Sequence, residues 1–455
     1  MIDSHAHLTD TVFDNNRAEI IVNAGKAGIS CIISAGTDLN DSKKVLDLAL
    51  KHEMVLAAVG ITPHQAAKAG QGYISELKSL ASEPGVAAIG ETGLDFYYDE
   101  PRDIQKKVFE AQADLAKKMN LPIIVHMRES FDECCAVIKN SGLQDGVCHC
   151  FTGTCAQAGD FLDLGFYISF SGIITYKNAN LDNVVKYIPT DRLLVETDSP
   201  YLAPEPHRGR TNEPGMLINI LEKIAHIRSP LTSDDFKRIT SFNARKLFRM
   251  EKLSHEGTIA YKIRNSLYLN ITNRCSNRCA FCPLSSGTLS VKGYDLNLEK
   301  EPDAREIIDK IKTFDLNSLD EAVFCGFGEP TFRLHIIKEV ATFLKRNNIY
   351  IRLNTNGQGN LINNRDIIPE LRGLIQTVSV SLNYADAESY AENCVSAFGK
   401  SAYGAVKDFI KSAGRAFPRV IATAVDMPDL DKHKLYKTAA ELGVPLRMRP
   451  YQEIG

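Results

Sequence analysis

The sequence predicts two α/β domains in series, each built from parallel strands joined by crossover helices. Three observations carry that expectation. The chain has 455 residues, too many for one ordinary hydrophobic core, so two domains of about 200 to 250 residues each are the starting point. Short β-branched runs alternate with helical stretches through residues 1 to 250. A polar stretch, Lys252-Leu-Ser-His-Glu-Gly257, then precedes a new strand, Ser266-Leu-Tyr-Leu-Asn-Ile271, where a second alternating series begins.

The first series contains eight strand-like runs, at Met1–Ser4, Ser30–Ser34, Val55–Val59, Val86–Ile89, Pro122–Val125, Gly146–Cys148, Gly165–Ser169 and Arg192–Val195. Eight βα units in about 250 residues is the size of a TIM (β/α)8 barrel, whose active site lies where the strands end. The second series has six, at Leu267–Thr272, Glu321–Cys325, Tyr350–Asn354, Thr377–Leu382, Val420–Val425 and Leu446–Arg449, which suits a partial (β/α)6 barrel. The expected domains are residues 1–252 and 262–455, with 253–261 as linker. No low-complexity tract or tandem repeat is present, which excludes a solenoid.

Composition, 44% hydrophobic and 24% charged, is that of a soluble globular chain. The net charge of −3 divides into 27 basic and 33 acidic residues before position 256 and 26 basic and 23 acidic after it. Neither half has the basic excess of a tight nonspecific nucleic-acid binder, and bound divalent metals would offset part of the first half's deficit. The amino terminus lacks the basic region of a secretory signal, and no apolar run approaches the roughly 18 residues that span a bilayer. A cytoplasmic protein without membrane attachment is therefore expected. Eleven cysteines in such a chain point to thiols and metal ligands rather than disulfides.

The strand ends of the first series present, in order, His5 and His7, His64, Glu91, His126, His149 and Asp198. Residues two apart in a strand share a face, so His5 and His7 can hold one ion together. A single histidine is more often a packing residue than a ligand, but seven such groups at successive strand ends are a ring of ligands. Imidazole and carboxylate suit Zn, Mn, Fe or Mg, and too few oxygens are present for a calcium cage. Two ions need a shared ligand, for which Glu91 is best placed; His5, His7 and Asp198 are assigned to one ion and His126 and His149 to the other. Such a pair activates a bridging water for hydrolysis, with Asp198 placed to take its proton.

Asp3-Ser-His-Ala-His-Leu8, Gly90-Glu-Thr-Gly-Leu-Asp95, Val125-His126, His149-Cys-Phe-Thr-Gly153, Glu196-Thr-Asp-Ser-Pro-Tyr-Leu-Ala-Pro204 and Arg208-Gly-Arg-Thr-Asn-Glu-Pro214 resemble the TatD family of deoxyribonucleases over residues 1 to about 250. The resemblance implies a metal-dependent phosphodiesterase acting on DNA, with some members linked to tRNA-related deacylation. Ile61-Thr-Pro-His64 departs from the family, which commonly has a second histidine at the position of Thr62. His64 is kept and is expected to contact the substrate phosphate or leaving group. Phe96-Tyr-Tyr98 has a base-stacking reading beside one of rim packing, and Arg128 a phosphate-pairing reading beside a structural ion pair. Cys134, Cys135, Cys148, Cys150 and Cys155 are expected to pack as small apolar groups against outer helices.

In the second series, Asn273-Arg-Cys-Ser-Asn-Arg-Cys-Ala-Phe-Cys-Pro283 places Cys275, Cys279 and Cys282 in the spacing CxxxCxxC. Three thiolates on one loop can close around three irons of a 4Fe-4S cluster and leave the fourth open. The alternative is a zinc site completed by Cys325 or Cys394, although no second cysteine pair is present. Over residues 262 to 455 the sequence resembles the radical S-adenosylmethionine superfamily. Gly326-Phe-Gly-Glu-Pro330 resembles that family's glycine-glutamate-proline element, with Phe327 interrupting the usual paired glycine. The resemblance implies that Gly326, Gly328 and Glu329 receive the methionine ammonium, and that the reduced cluster cleaves S-adenosylmethionine to a 5'-deoxyadenosyl radical. Asn354, Asn356, Ser381 and Asn383, at the third and fourth strand ends, are candidate cofactor contacts beside a reading as turn residues.

The expected protein is thus bifunctional, with DNA or another nucleic acid as the hydrolytic substrate and an external electron donor for the cluster. Two alternatives stay open: an ester or amide hydrolase such as an aminoacyl-tRNA deacylase in the first domain, or one barrel serving only as a binding module.

Overall fold

The computed structural model describes residues 1–250, 257–283, 290–428 and 430–450. The chain divides into two compact units, Met1–Leu253 and Ser254–Gly455.

In the first unit, strands β1 (Ile2–Ala6), β2 (Cys31–Ala35), β3 (Val55–Val59), β4 (Val86–Asp95), β5 (Ile123–Arg128), β6 (Gly146–Cys148), β7 (Tyr167–Phe170) and β8 (Leu193–Val195) pair in sequence order in one eight-stranded parallel sheet. Past β8 the chain runs back along β1. The Asp198 N–H donates to the His5 carbonyl at 3.0 Å and the His7 N–H to the Ser199 carbonyl at 2.7 Å, which brings the sheet round to a TIM-type near-barrel.

The period-2 alternation of the strands separates two apolar layers. Ile2, Ile33, Ala58, Ala88, Ile124 and Leu194 gather with Leu247 and Phe248 of the last helix. Their neighbours Ile32, Val59, Ile123, Cys148 and Val195 pack outward against the helical layer. Helix Arg102–Met119 shows how that layer is built: Val108, Phe109, Gln112, Ala113 and Ala116 fall at helical spacing and are buried. Gln112 is the polar member. Its side-chain oxygen accepts the Ile61 N–H at 2.8 Å and its amide donates to the Ile61 carbonyl at 2.9 Å and the Thr92 hydroxyl at 2.6 Å, tying the loop after β3 to β4.

β4 is longer than the sequence predicts, reaching Asp95 rather than ending at Ile89. The reason is a break in its register with β5 between Ile89 and Thr92, carried by Gly90 and Gly93 at φ 146° and 145°. A Cβ at Gly93 would lie 2.0 Å from the His126 carbonyl oxygen, so only glycine lets these strand ends approach.

The second unit contains β9 (Ala260–Ile263), β10 (Ser266–Leu269), the short hairpin β11 (Ser290–Val291) and β12 (Tyr294–Asp295), then β13 (Glu321–Phe324), β14 (Ile351–Thr355), β15 (Thr377–Ser381), β16 (Arg419–Asp426) and β17 (Leu446–Pro450). The main sheet runs β17-β16-β15-β14-β13-β10-β9. Six of its strands are parallel neighbours and form a half-barrel. β9 is an antiparallel addition that begins inside the stretch read as linker. Its Tyr261 and Ile263 are buried, but the turn to β10 uses Arg264 at φ 54° in place of a glycine that would have marked it. Residues 253–256 of the linker lie outside the described residues. Among the described residues, no helix is long and apolar enough to cross a membrane.

Candidate functional site

At the C-terminal end of the first barrel, six predicted ligands converge into two sets that share one carboxylate. His5 Nε2 and His7 Nε2 lie 3.1 Å apart. Glu91 Oε2 is 3.6 and 3.4 Å from them, and Asp198 Oδ1 is 3.5 Å from each. A tetrahedral ion with ligand bonds of about 2.0–2.2 Å needs ligand atoms about 3.3–3.6 Å apart, so this set has the spacing of a mononuclear cage. The other oxygen, Glu91 Oε1, lies 2.7 Å from His126 Nδ1 and 3.0 Å from His149 Nε2, and those two nitrogens are 3.2 Å apart. Glu91 therefore points one oxygen into each set.

Two of the remaining ring nitrogens are hydrogen-bonded from behind, His149 Nδ1 is only within ion-pair range of a carboxylate, and buried His5 Nδ1 has no partner. His7 Nδ1 is 3.2 Å from the Ala35 carbonyl, His126 Nε2 is 3.0 Å from Asp95 Oδ2, and His149 Nδ1 is 3.4 Å from Glu196 Oε1. Such partners fix ring orientation and tautomer in metal sites. The loop after β8 that carries Asp198 is pinned by buried Asp3, which accepts from the Thr197 N–H at 2.9 Å and the Thr197 hydroxyl at 2.5 Å. Burial pushes the Asp3 carboxyl up to about 8 against those donors.

Electrostatics favour positive charge at this point. Burial opposes ionisation of every member, yet the imidazoles of His149 and His126 hold Glu91 well below the usual carboxylate range. His7, Asp198 and Glu91 show the converse: against burial, the two carboxylates push the His7 imidazole up to about 10. His126 and His149 are also raised, against burial, by Asp95 and Glu91 and by Glu91 and Glu196 respectively. His5 is lowered by burial and by the neighbouring His149. Carboxylates that trap cationic imidazoles supply the field that divalent ions need, and the donor set fits them.

His64 lies apart from both sets on the short turn Pro63–Lys68. It is partly exposed, with Nε2 3.4 Å from Asp95 Oδ2. His64, Asp95 and His126 form a third group whose ligand atoms converge. The rim aromatics contact cations and a histidine: the Arg128 guanidinium lies 3.7 Å from the centre of the Tyr97 ring, and Tyr98 meets His64 edge-on at 5.2 Å. Phe96 lies under Arg102. Cys148 and Cys134 are buried in the outer apolar layer, and Cys135 and Cys155 pack against it. Cys150 differs from the expectation: β6 has ended, the residue has φ 46°, its N–H donates to Glu196 and its Sγ lies 3.1 Å from the Ser171 hydroxyl.

In the second unit, Cys275, Cys279 and Cys282 line one side of a cavity of about 750 Å3 inside the half-barrel. Gly326, Gly328, Asn354, Asn356, Ser381 and Asn383 line the same cavity. Cys275 is exposed, and Cys279 and Cys282 are half-buried. The cysteine loop is anchored by Asn356, a candidate cofactor contact, and by groups that the sequence does not single out. Asn277 Nδ2 donates to the Tyr390 hydroxyl at 3.1 Å. Gln358 Nε2 donates to Asn277 Oδ1 at 2.8 Å, and Asn356 Nδ2 donates to the Ser276 hydroxyl at 2.8 Å. Arg274 forks onto Glu301 at 2.9 and 3.1 Å. Cys394 is buried beside Cys279, whose Sγ is 3.9 Å from the Cys394 carbonyl.

Glu329 is occupied within the protein. Its Oε1 accepts from the Thr331 N–H at 3.1 Å and from the hydroxyls of Thr331 and Thr355 at 2.6 and 2.8 Å, while Oε2 accepts the Asn356 N–H at 2.6 Å. It locks two strand-end loops together. The glycines have a similar reason: a Cβ would lie 2.0 Å from Asn270 Oδ1 at Gly326 and 2.2 Å from the Thr272 carbonyl oxygen at Gly328. Two cavity-lining amides keep an unpartnered buried oxygen, Asn354 Oδ1 and Asn383 Oδ1.

Comparison with known proteins decides the family. The profile of TatD related DNase matches residues 2–249, over half of the chain. The chain belongs to the TatD related DNase family. Residues 269–442 match the Radical SAM superfamily, so this TatD-family chain is a fusion. It is 38% identical over 254 residues to the uncharacterized metal-dependent hydrolase YabD of Bacillus subtilis, covering 55% of this chain and 99% of that protein. It is 35% identical over 262 residues to the 3'-5' ssDNA/RNA exonuclease TatD of Rahnella, covering 55% and 98%. The crystal structure of YJJV, a TatD homolog from Escherichia coli, matches with a TM-score of 0.53 at 30% identity, covering 55% of this chain and 98% of that one.

Among the groups that complete the TatD-type site, Asp95, Glu196, Asp3 and Gln112 received no role from sequence. Asp95 carried a readable signal, since it lies four residues beyond Glu91 and so shares its face if the strand continues. The others are recognised only through partners distant in the chain.

Proposed function

We propose that the TatD-type barrel hydrolyses phosphodiester bonds of DNA or another nucleic acid with two divalent ions, of Zn, Mn, Fe or Mg. The observation that carries the reading is Glu91, whose two oxygens face two separate sets of imidazole ligands. His5, His7 and Asp198 would hold one ion, His126 and His149 the other, and Glu91 both. Bound there, the ions would lower the pKa of an attacking water and neutralise charge on the phosphate oxygens.

The chain's own groups do the rest. The Ala35 carbonyl, Asp95 and Glu196 keep the imidazoles turned so that the correct nitrogen faces inward. Asp198 also takes the proton of the attacking water, its carboxyl being held low, against burial, by His7 and His5. His64, partly exposed beside Asp95, contacts the phosphate or the leaving oxygen. The name of the Rahnella relative supports a nucleic-acid substrate. Glu91→Ala tests the reading: it is expected to lose both ions and hydrolysis of single-stranded DNA, whereas retained hydrolysis at the wild-type rate would overturn it. Cleavage of aminoacyl-tRNA but not DNA by the wild-type protein would favour the acyl hydrolase instead.

For the second unit we propose that Cys275, Cys279 and Cys282 hold a 4Fe-4S cluster that, with an external electron donor, cleaves S-adenosylmethionine reductively. The superfamily match supports this reading. Asn354, Asn356, Ser381 and Asn383 contact the cofactor, and the unpartnered oxygens of Asn354 and Asn383 are acceptors for its ammonium and ribose. Glu329 positions the backbone of both loops and leaves the Gly326–Gly328 backbone to meet the methionine end.

A further inference from the structure

The half-barrel cavity has a charge pattern that the superfamily match does not explain. Four strand-borne arginines line it, Arg352 on β14, Arg419 on β16 and Arg447 and Arg449 on β17. Arg447 and Arg449 are two apart on one strand and share the cavity face, while Leu446 and Met448 pack against the apolar core. Register places Arg447 beside Thr423, which pairs with Ser381, and Arg449 beside Val425.

Among the described residues, Glu321 and Glu329 are the only carboxylates lining the cavity. Glu321 is taken by Arg352 at 2.7 Å, and both oxygens of Glu329 are filled by the loop donors described above. Among the described residues, Arg419, Arg447 and Arg449 have no carboxylate in ion-pair range. Arg352 adds a buried Nε with no partner. Arginines on an edge strand also discourage unwanted strand pairing, but that role does not require them to face a cavity. Clustered guanidiniums in a water-filled concavity are the chemistry that recognises phosphate.

We propose that Arg447 and Arg449 bind the dianionic head of a small phosphate monoester, which is the molecule the second unit acts on. The binding step stands on the cavity alone; only the ligand's role as substrate rests on the radical reading. A monoester carries close to two charges at pH 7, enough to answer both guanidiniums, and a cavity of about 750 Å3 is within the range of small-molecule sites.

The test is anaerobic calorimetry on the full chain, iron-loaded and saturated with S-adenosylmethionine, using ribose 5-phosphate against ribose. Ribose 5-phosphate is expected to bind and ribose not to. Because the metal centre of the first unit also attracts phosphate, the reading is taken as the difference made by Arg447→Ala with Arg449→Ala. This double variant is expected to lose about tenfold or more in affinity for the phosphate, the loss of at least one charge-assisted pair. S-adenosylmethionine affinity and the shift it produces in the cluster's electron paramagnetic resonance signal should stay within about twofold of wild type. Arg447→Lys with Arg449→Lys keeps the charge and should retain most of the binding, which separates lost recognition from lost fold. The proposal is overturned if ribose binds as well as its phosphate, if the phosphate isotherm is unchanged in the alanine variant, or if S-adenosylmethionine affinity falls in parallel. The last outcome would place the arginines on the cofactor's own carboxylate. Absence of iron and sulfide from the protein would instead sink the radical reading and leave the binding result standing.

Discussion

Asp95→Asn removes one negative charge behind one ion while leaving the other ion's ligands in place. Asp95 Oδ2 is 3.0 Å from His126 Nε2, and its Oδ1 accepts the Tyr97 N–H at 3.0 Å, so an isosteric amide fits the space. What changes is the carboxylate that fixes the His126 tautomer and raises its basicity. A charge-assisted bond of this kind is worth about 1.5–3 kcal/mol, and loss of such a partner typically weakens metal binding by about 10- to 100-fold. The loss should fall on the ion held by His126 and His149, since His5, His7 and Asp198 make no contact with Asp95. Metal content measured after dialysis against increasing chelator should therefore fall in two steps, with the weaker step moved by one to two decades and the tighter one unmoved. DNA hydrolysis should fall with the first step. Equal loss of both ions, or no change in either, would refute the bridging arrangement.

Other outcomes follow from the same geometry. Glu329→Gln sets an NH2 group against N–H or O–H donors at one of its oxygens, and leaving that buried set unsatisfied should destabilise the second unit by about 1–3 kcal/mol. Denaturant unfolding would register this as an earlier transition while the divalent-metal content of the first unit stays at wild-type level. Asp386 caps helix Ala387–Cys394 through the Ser389 N–H and pairs with Lys434 at 3.0 Å, which together bring its carboxyl down to about 2. A carboxylate depressed in the folded state contributes stability above its unfolded pKa of about 4 and loses it as pH falls toward 2. Asp386→Ala should cost about 1 kcal/mol at pH 7, and the acid-unfolding curves of the two proteins should draw together below pH 3; a gap that persists at pH 2 would mean the cap does not act through its charge.

Much of the fold was legible because each strand end combined an apolar run with a chemically distinctive residue. His5 and His7 alternate at strand spacing, and the three cysteines crowd one loop, so both centres announced themselves locally. The eight- and six-strand counts of parallel strands were readable from the same alternation. What escaped was set by distant partners. Nothing near Glu196 says that it stands behind His149, and nothing near Gln358 says that it holds Asn277. The apolar run of β4 ends at Ile89, and its continuation through Gly90 and Gly93 to Asp95 depends on β5 lying beside it. β9 begins inside the expected linker and carries no sequence mark, because its turn uses Arg264 in a left-handed conformation. Glu329 was assigned to the cofactor from resemblance, whereas its carboxylate is consumed by Thr331, Thr355 and Asn356.

The most direct test of two metal centres in one chain is the iron, sulfide and divalent-metal content of anaerobically purified protein beside a Cys275→Ala, Cys279→Ala, Cys282→Ala variant. About four irons and four sulfides should be present and be lost in the variant, with up to two further divalent ions retained by the histidine barrel in both proteins. Zinc without sulfide in the wild-type protein would contradict the radical centre and leave a TatD-family hydrolase joined to a structural zinc loop.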